Sequence, residues 1–195
     1  MKPDTAAEIL DIMQELIQAR GFNAISYQDI ADRVGIRKAS IHYHFPTKFA
    51  LGAAVIERYR ARLLEALAAA EASGSHRAVL AAYLGSFAAF IESGDKVCLC
   101  GALAGEFAAL PKPMQEQVRQ FFVEQQDWLE RLLERGRAAG ELRFAGSPRG
   151  VARLAFSALQ GALLLRRAQD DGRQVRDVIE TIRSLVQDAP GSPPG

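Results

Sequence analysis

The chain is predicted to be all-α, and three observations carry that prediction. Apolar residues recur at three- and four-residue spacing along most of its 195 residues. No segment shows sustained alternation rich in β-branched residues, the pattern of a half-buried strand. Helix start and stop signals punctuate the chain at short intervals. A hydrophobic content of 49% is enough for a sizeable core. No apolar run reaches the ~18 residues that a membrane span needs. The opening MKPDTAAEIL is polar and lacks the apolar region of a signal peptide, so a cytoplasmic location without membrane contact is expected.

The first helix is expected over Thr5 to Ala19, with Thr5 and Glu8 at capping-box spacing and Ile9, Ile12, Met13, Leu16 and Ile17 along its core edge. Ser26 caps a second, with Asp29 three residues on, and Ile30, Ala31 and Val34 form its stripe. Gly35 stops it, since glycine takes the left-handed conformation at little cost. A third helix runs from about Lys38 to Phe45, ended by Pro46 and buried along Ile41 and Phe45. Two short helices about a tight turn make a helix-turn-helix.

A long helix from Thr47 to Ala72 follows, closed by Ser73-Gly74-Ser75. Another spans His76 to Ile91, and a short apolar one runs from Cys98 to Ala109. Met114 to Ala138 is a long helix that ends near Gly140. Ser147-Pro148, a cap followed by proline at the first helical position, opens the next, 148–169. The last, 174–187, repeats its apolar residues every three or four positions from Val175 to Val186. The proline- and glycine-rich 189–195 is expected to be a disordered tail. That makes nine helices, three in a helix-turn-helix unit over residues 1–47 and six behind it over 48–188.

Net charge is only +1, but its distribution matters more than its sum. No acidic residue falls between Asp32 and Glu57, whereas Arg33, Arg37, Lys38 and Lys48 do. In register, Arg20-Gly21-Phe22, Asp29-Ile30-Ala31, Val34-Gly35, the run from Lys38 to Phe45, Lys48 and Leu51 resemble the DNA-binding domain of the TetR family of bacterial transcription regulators. His42 stands where that family often has tyrosine, and Phe49 where an acidic residue is common. The second helix of such a unit lies in the major groove. Lys38 has the donors for guanine O6 or N7, Ala39 lets the backbone approach and offers a methyl to thymine, and His42 shares Lys38's face. The resemblance assigns Tyr43, His44 and Lys48 to the DNA backbone, with Ser26 and Arg37 as further candidates.

The same resemblance implies a homodimer paired through its last two long helices. Leu154, Ala158, Leu165, Val178, Ile182 and Leu185 are the candidate interface, and both helices carry apolar residues on more than one side. It also makes 48–188 the effector-binding and dimerisation domain, with a small-molecule effector that releases the operator DNA; no cofactor is expected. Phe87, Phe90, Leu103, Phe107, Phe121 and Trp128 offer a largely aromatic wall, and Glu106 and Arg119 are possible anchors. Cys98 and Cys100 stand at a helix start beside Lys96, and both features lower a thiol's pKa. Some regulators of this type sense electrophiles or oxidants through cysteine, so a thiol switch is an alternative. Two small buried hydrophobes are the plainer reading.

No metal site is expected, because two cysteines without a nearby histidine do not complete a tetrahedron. An enzyme is not expected either: Cys-x-x-Cys, a nucleophile elbow and a phosphate loop are all missing from the sequence. A transcriptional activator would carry the same residues as a repressor. An adaptor that retains an idle helix-turn-helix is a third possibility.

Overall fold

The computed structural model describes residues 4–186. Among these it holds nine α-helices, two 3₁₀ turns and no strand, and the expected tail at 189–195 lies outside them. The helices are α1 (Thr5–Arg20), α2 (Tyr27–Val34), α3 (Lys38–His44), α4 (Lys48–Ser73), α5 (His76–Ala88), α6 (Leu99–Gly105), α7 (Lys112–Ala138), α8 (Pro148–Gln169) and α9 (Arg173–Leu185). They form two compact units, one of residues up to Leu63 plus Asp95–Phe122, the other of Leu64–Gly94 plus Val123 onward.

In the first unit α1 packs against α2, α3 and α6. Ile9, Met13, Leu16 and Ile17 of α1 are buried, as are Ile30, Ile41, Leu99 and Leu103. The Gln18 side-chain amide donates to the Val97 carbonyl at 3.0 Å and the Val97 backbone N–H donates to the Gln18 backbone carbonyl at 3.2 Å, which ties the segment before α6 to α1. In the second unit α9 packs against α8 and α5. Ala152, Ala155, Phe156, Leu159 and Leu163 of α8 are buried, as are Val175, Ile179 and Ile182 of α9.

Several boundaries differ from the sequence reading, each for a local reason. Asp4 rather than Thr5 caps α1, its carboxylate accepting from the Ala6 and Ala7 amides at 3.1 and 3.3 Å. A carboxylate there also faces the positive end of the helix dipole. The expected 76–91 helix stops at Ala88 and tightens into a 3₁₀ turn over Ala89–Glu92. The expected 98–109 helix is broken at Glu106 into α6 and a 3₁₀ turn over Phe107–Ala109. Helix α7 begins at Lys112 because Pro113 falls in its first turn, where a missing N–H costs nothing. Helix α9 starts at Arg173, one residue early, and Gln187 lies outside the described residues.

The short reader helices are held by their ends. Ser26 and Asp29 form a full capping box on α2, and Gly35 closes it at φ 77°, ψ 32°. Helix α3 has seven residues, too few to persist alone. It is pinned by Ile41, which is 0% exposed, and by the Tyr27 hydroxyl, which donates to the Phe45 carbonyl at 2.9 Å.

Candidate nucleic-acid interface

Every α3 residue assigned to DNA lies on the surface. Arg37, Lys38, Ala39, His42, Tyr43 and His44 are exposed, and Tyr43 retains 84% of its accessible area. Ile41 turns inward, so the helix divides cleanly between a buried anchor and an outward polar face. Arg20 and Arg33 are paired with Asp29 and Glu15 at 3.8 and 3.3 Å. Among the described residues no carboxylate pairs with Arg37 or Lys38. Arg37 occupies the N-cap of α3 without making a side-chain cap.

His42 is oriented rather than free to rotate. Its ring lies 4.6 Å from that of Tyr27, and its Nδ1 is 3.3 Å from the Pro46 carbonyl oxygen. A carbonyl only accepts, so Nδ1 is the donor in that contact and Nε2 is left for another partner. Tyr27, which sequence reasoning passed over, therefore fixes both the end of α3 and the His42 ring. Its pKa is raised by burial. The Tyr43 and His44 rings meet edge to face at 5.1 Å.

Ser26 is exposed at the α2 N-cap. Its hydroxyl donates to the Asp29 carboxylate, and its amide donates to the same oxygen at 2.7 Å. These contacts hold the Asp29 carboxyl below its ordinary value, the hydroxyl contributing most. Most of the Ser26 hydroxyl's bonding capacity is thus already committed to the cap.

Lys48 is half-buried at the start of α4. Its ammonium donates to the Asn23 carbonyl at 3.4 Å and sits 4.5 Å above the Phe22 ring. Burial lowers its pKa, against the pull of the Glu106 and Asp29 carboxylates in the other direction. Phe49, at the position where the sequence departs from the family pattern, stacks on Phe22 at 6.0 Å.

Glu106, offered above as a ligand anchor, instead grips the turn after α1. Its Oε2 accepts from the Phe22 amide at 2.9 Å, the Asn23 amide at 3.1 Å and the Asn23 side chain at 3.3 Å. No local signal marks it, because its partners lie more than eighty residues away in the chain. Arg119, the other suggested anchor, is spent on Glu116 at 3.2 Å and on the Phe107 ring at 4.8 Å.

The residues assigned to the effector fall into both units. Phe87 and Trp128 are buried in the second, each against Tyr83 at 5.4 and 5.2 Å, and Phe90, half-buried, belongs to the same unit. Cys98, Cys100, Leu103 and Phe121 are buried in the first, where Phe107 is half-buried. Tyr59 packs on Phe121 at 5.8 Å and its hydroxyl reaches the Cys98 sulfur at 3.8 Å.

The expectation of acidified thiols is corrected at Cys100. Burial, and then the neighbouring Cys98, push its pKa well above the ordinary thiol value, and Arg60 offsets this only in part. Lys96, which was to lower it, pairs with Glu15 at 3.1 Å.

On the second unit α8 and α9 border a groove of about 350 Å³ lined by Val151, Leu154, Ala158, Val178, Ile182 and Leu185 among others. Leu154 and Leu185 are 60% and 55% exposed, and Leu165 is 42% exposed on the same helix as Leu154. Ile182 is buried at the groove floor. The outward leucines explain why these helices read as apolar on more than one side.

Residues 74–182 match the family model described as tetracyclin repressor-like, C-terminal domain, and residues 9–55 match that of bacterial regulatory proteins, tetR family. The chain belongs to the TetR family. A TetR-family regulator from Agrobacterium tumefaciens superimposes with a TM-score of 0.88 at 33% identity, covering 94% of this chain and 98% of that one. One from Legionella pneumophila gives 0.86 at 30% identity, covering 96% and 100%. The HTH-type transcriptional repressor NemR of Escherichia coli K12 is 25% identical over 188 residues, 94% of each chain. As a TetR-family member the protein is a DNA-binding transcriptional regulator rather than an enzyme, and its all-helical fold is that of the family.

Proposed function

We propose that this TetR-family protein is a homodimeric repressor that leaves a palindromic operator when a small molecule binds. In this reading residues 1–47 contact DNA, and 48–188 carry dimerisation and the response to effector. One observation carries it: α3 turns Arg37, Lys38, Ala39, His42, Tyr43 and His44 outward without carboxylate partners while Ile41 anchors it. Lys38 and His42 read bases; Tyr43, His44, Lys48, Arg37 and Ser26 hold the backbone. The sign of regulation follows NemR, whose name is that of a repressor.

A second copy is the occupant proposed for the α8–α9 groove. Two-fold operators ask for two-fold proteins, and exposed leucines on both helices supply a self-complementary apolar face. Effector response is assigned to Phe87, Phe90 and Trp128 in one unit and Cys98, Cys100, Leu103, Phe107 and Phe121 in the other. Most of these pack as core, so a ligand must open space among them.

A gel-shift on the DNA flanking the protein's own gene tests the reading. Specific retardation, reversed by one member of a panel of small apolar molecules, is expected. Absence of any sequence-specific complex removes it. Leu185→Glu, which puts a charge into the groove, should convert sedimenting dimers to monomers; an unchanged dimer places the interface elsewhere.

A further inference from the structure

We propose that Glu106 is a positioning residue for DNA binding: its carboxylate clamps the turn after α1 and, through that turn, places the Lys48 ammonium where a phosphate arrives. This rests on the reading of α3 and Lys48 as DNA-contacting groups.

The clamp and the lysine hold the same two residues through different groups. The Phe22 and Asn23 amides point at Glu106 Oε2, at 2.9 and 3.1 Å. The Asn23 carbonyl and the Phe22 ring receive the Lys48 ammonium, at 3.4 and 4.5 Å. Three donors on one carboxylate oxygen are charge-assisted bonds, shorter and stronger than neutral ones. The turn is shaped to admit them: a Cβ at Gly21 would lie 2.4 Å from Glu106 Oε1.

A carboxylate this near a phosphate-binding lysine also has an electrostatic cost, since it repels the approaching DNA within a Debye length of about 8 Å. Were its role only to cap amides, a neutral acceptor would serve without that repulsion. What the clamp adds is a fixed Asn23 carbonyl and Phe22 ring, the two groups that receive the end of the flexible four-carbon Lys48 side chain. Lys48 then meets the phosphate with less rotamer entropy left to lose. The Glu106 carboxylate also opposes the lowering of the Lys48 pKa by burial.

The test uses the full chain, the duplex upstream of its own gene, and the variants Glu106→Ala, Glu106→Gln, Lys48→Ala and the Glu106→Ala/Lys48→Ala double. Affinity is read by fluorescence anisotropy, and exchange of the Phe22 and Asn23 amides is followed by NMR without DNA. Glu106→Ala should weaken binding by about tenfold and speed both amides. Glu106→Gln, which keeps the acceptor oxygen but not the charge, should fall between it and wild type. The double variant should bind little worse than Lys48→Ala alone, because Glu106 acts through Lys48.

Costs that multiply, or a Glu106→Ala affinity within about twofold of wild type, overturn the proposal. Should Glu106→Ala fail to fold, Glu106→Gln decides, and wild-type affinity with wild-type amide exchange there overturns it too. Wild-type protein that binds no duplex overturns the regulator reading and this inference together. Binding by wild type with an indifferent Glu106 overturns this inference alone.

Discussion

Replacing Gly21 by alanine should destabilise the first unit far more than the same change at Gly35, although both residues have positive φ. Gly35 sits at φ 77°, ψ 32°, the left-handed helical region, and a Cβ added there meets nothing within 4 Å. Alanine costs about 1–2 kcal/mol in that region, offset by about 0.4–1 kcal/mol from a stiffer unfolded chain. The net loss is between about 0 and 1.6 kcal/mol.

Gly21 sits at φ 83°, ψ 165°, a region that is essentially glycine-only and costs about 1–3 kcal/mol. Its Cβ would also lie 2.4 Å from Glu106 Oε1 and 3.0 Å from the carboxyl carbon. The carboxylate can swing aside only by releasing the Phe22 and Asn23 amides, and hydrogen bonds to a charged group are worth about 1.5–3 kcal/mol. Even one such bond lost on top of the backbone cost makes about 2.5–6 kcal/mol, a large part of the ~5–15 kcal/mol that holds a typical protein folded. Urea unfolding followed by circular dichroism measures the difference directly. In a Glu106→Ala background the steric part vanishes and only the backbone cost should remain. A Gly21→Ala loss no larger than that of Gly35→Ala would falsify the coupling between this glycine and the carboxylate.

Three further outcomes follow from the same geometry. Lys38→Ala should blur discrimination between operator and mismatched duplexes by about 1–3 kcal/mol, measured by competition binding, whereas Lys48→Ala should weaken all sequences alike and reduce the salt slope by about one. Ser26→Ala should raise the Asp29 pKa, seen by NMR titration of its carboxyl. Because the folded value is depressed, this contribution to stability is present above the unfolded value of about 3.9 and is lost as pH falls through the folded one, so the variant should lose less on acidification. Cys100 should resist iodoacetamide at pH 8 in the folded protein and react once it is unfolded, because it is buried and its thiol is held protonated. Rapid native alkylation detected by mass spectrometry would favour the thiol switch instead.

Where a stabilising bond closes within a few residues, the sequence was sufficient. Ser26 with Asp29, Gly35, Pro46 and Ser147-Pro148 set the bounds of α2, α3 and α8 by hydrogen bonds and dihedral limits that act within one helical turn. The outward face of α3 was legible for the same reason, since Ile41 and Phe45, four apart, mark its inner side; Ile41 is buried, whereas Phe45 is half-buried at the cap just past the helix. Where two signals competed locally, the reading slipped by a residue, as at Asp4 over Thr5.

Tertiary structure alone decided the rest. Nothing near Glu106 in sequence announces that Phe22 and Asn23 will present their amides to it, or that the helix must break there to let it reach them. Arg166 is likewise buried in the second unit, where it donates to the Gly94 carbonyl at 2.6 Å, against every expectation for a charged residue on an amphipathic helix. Cys100 beside Lys96 looked acidified until packing removed it from water and gave the lysine to Glu15. Desolvation and long-range pairing depend on which surfaces meet, and that is settled only when distant helices pack together.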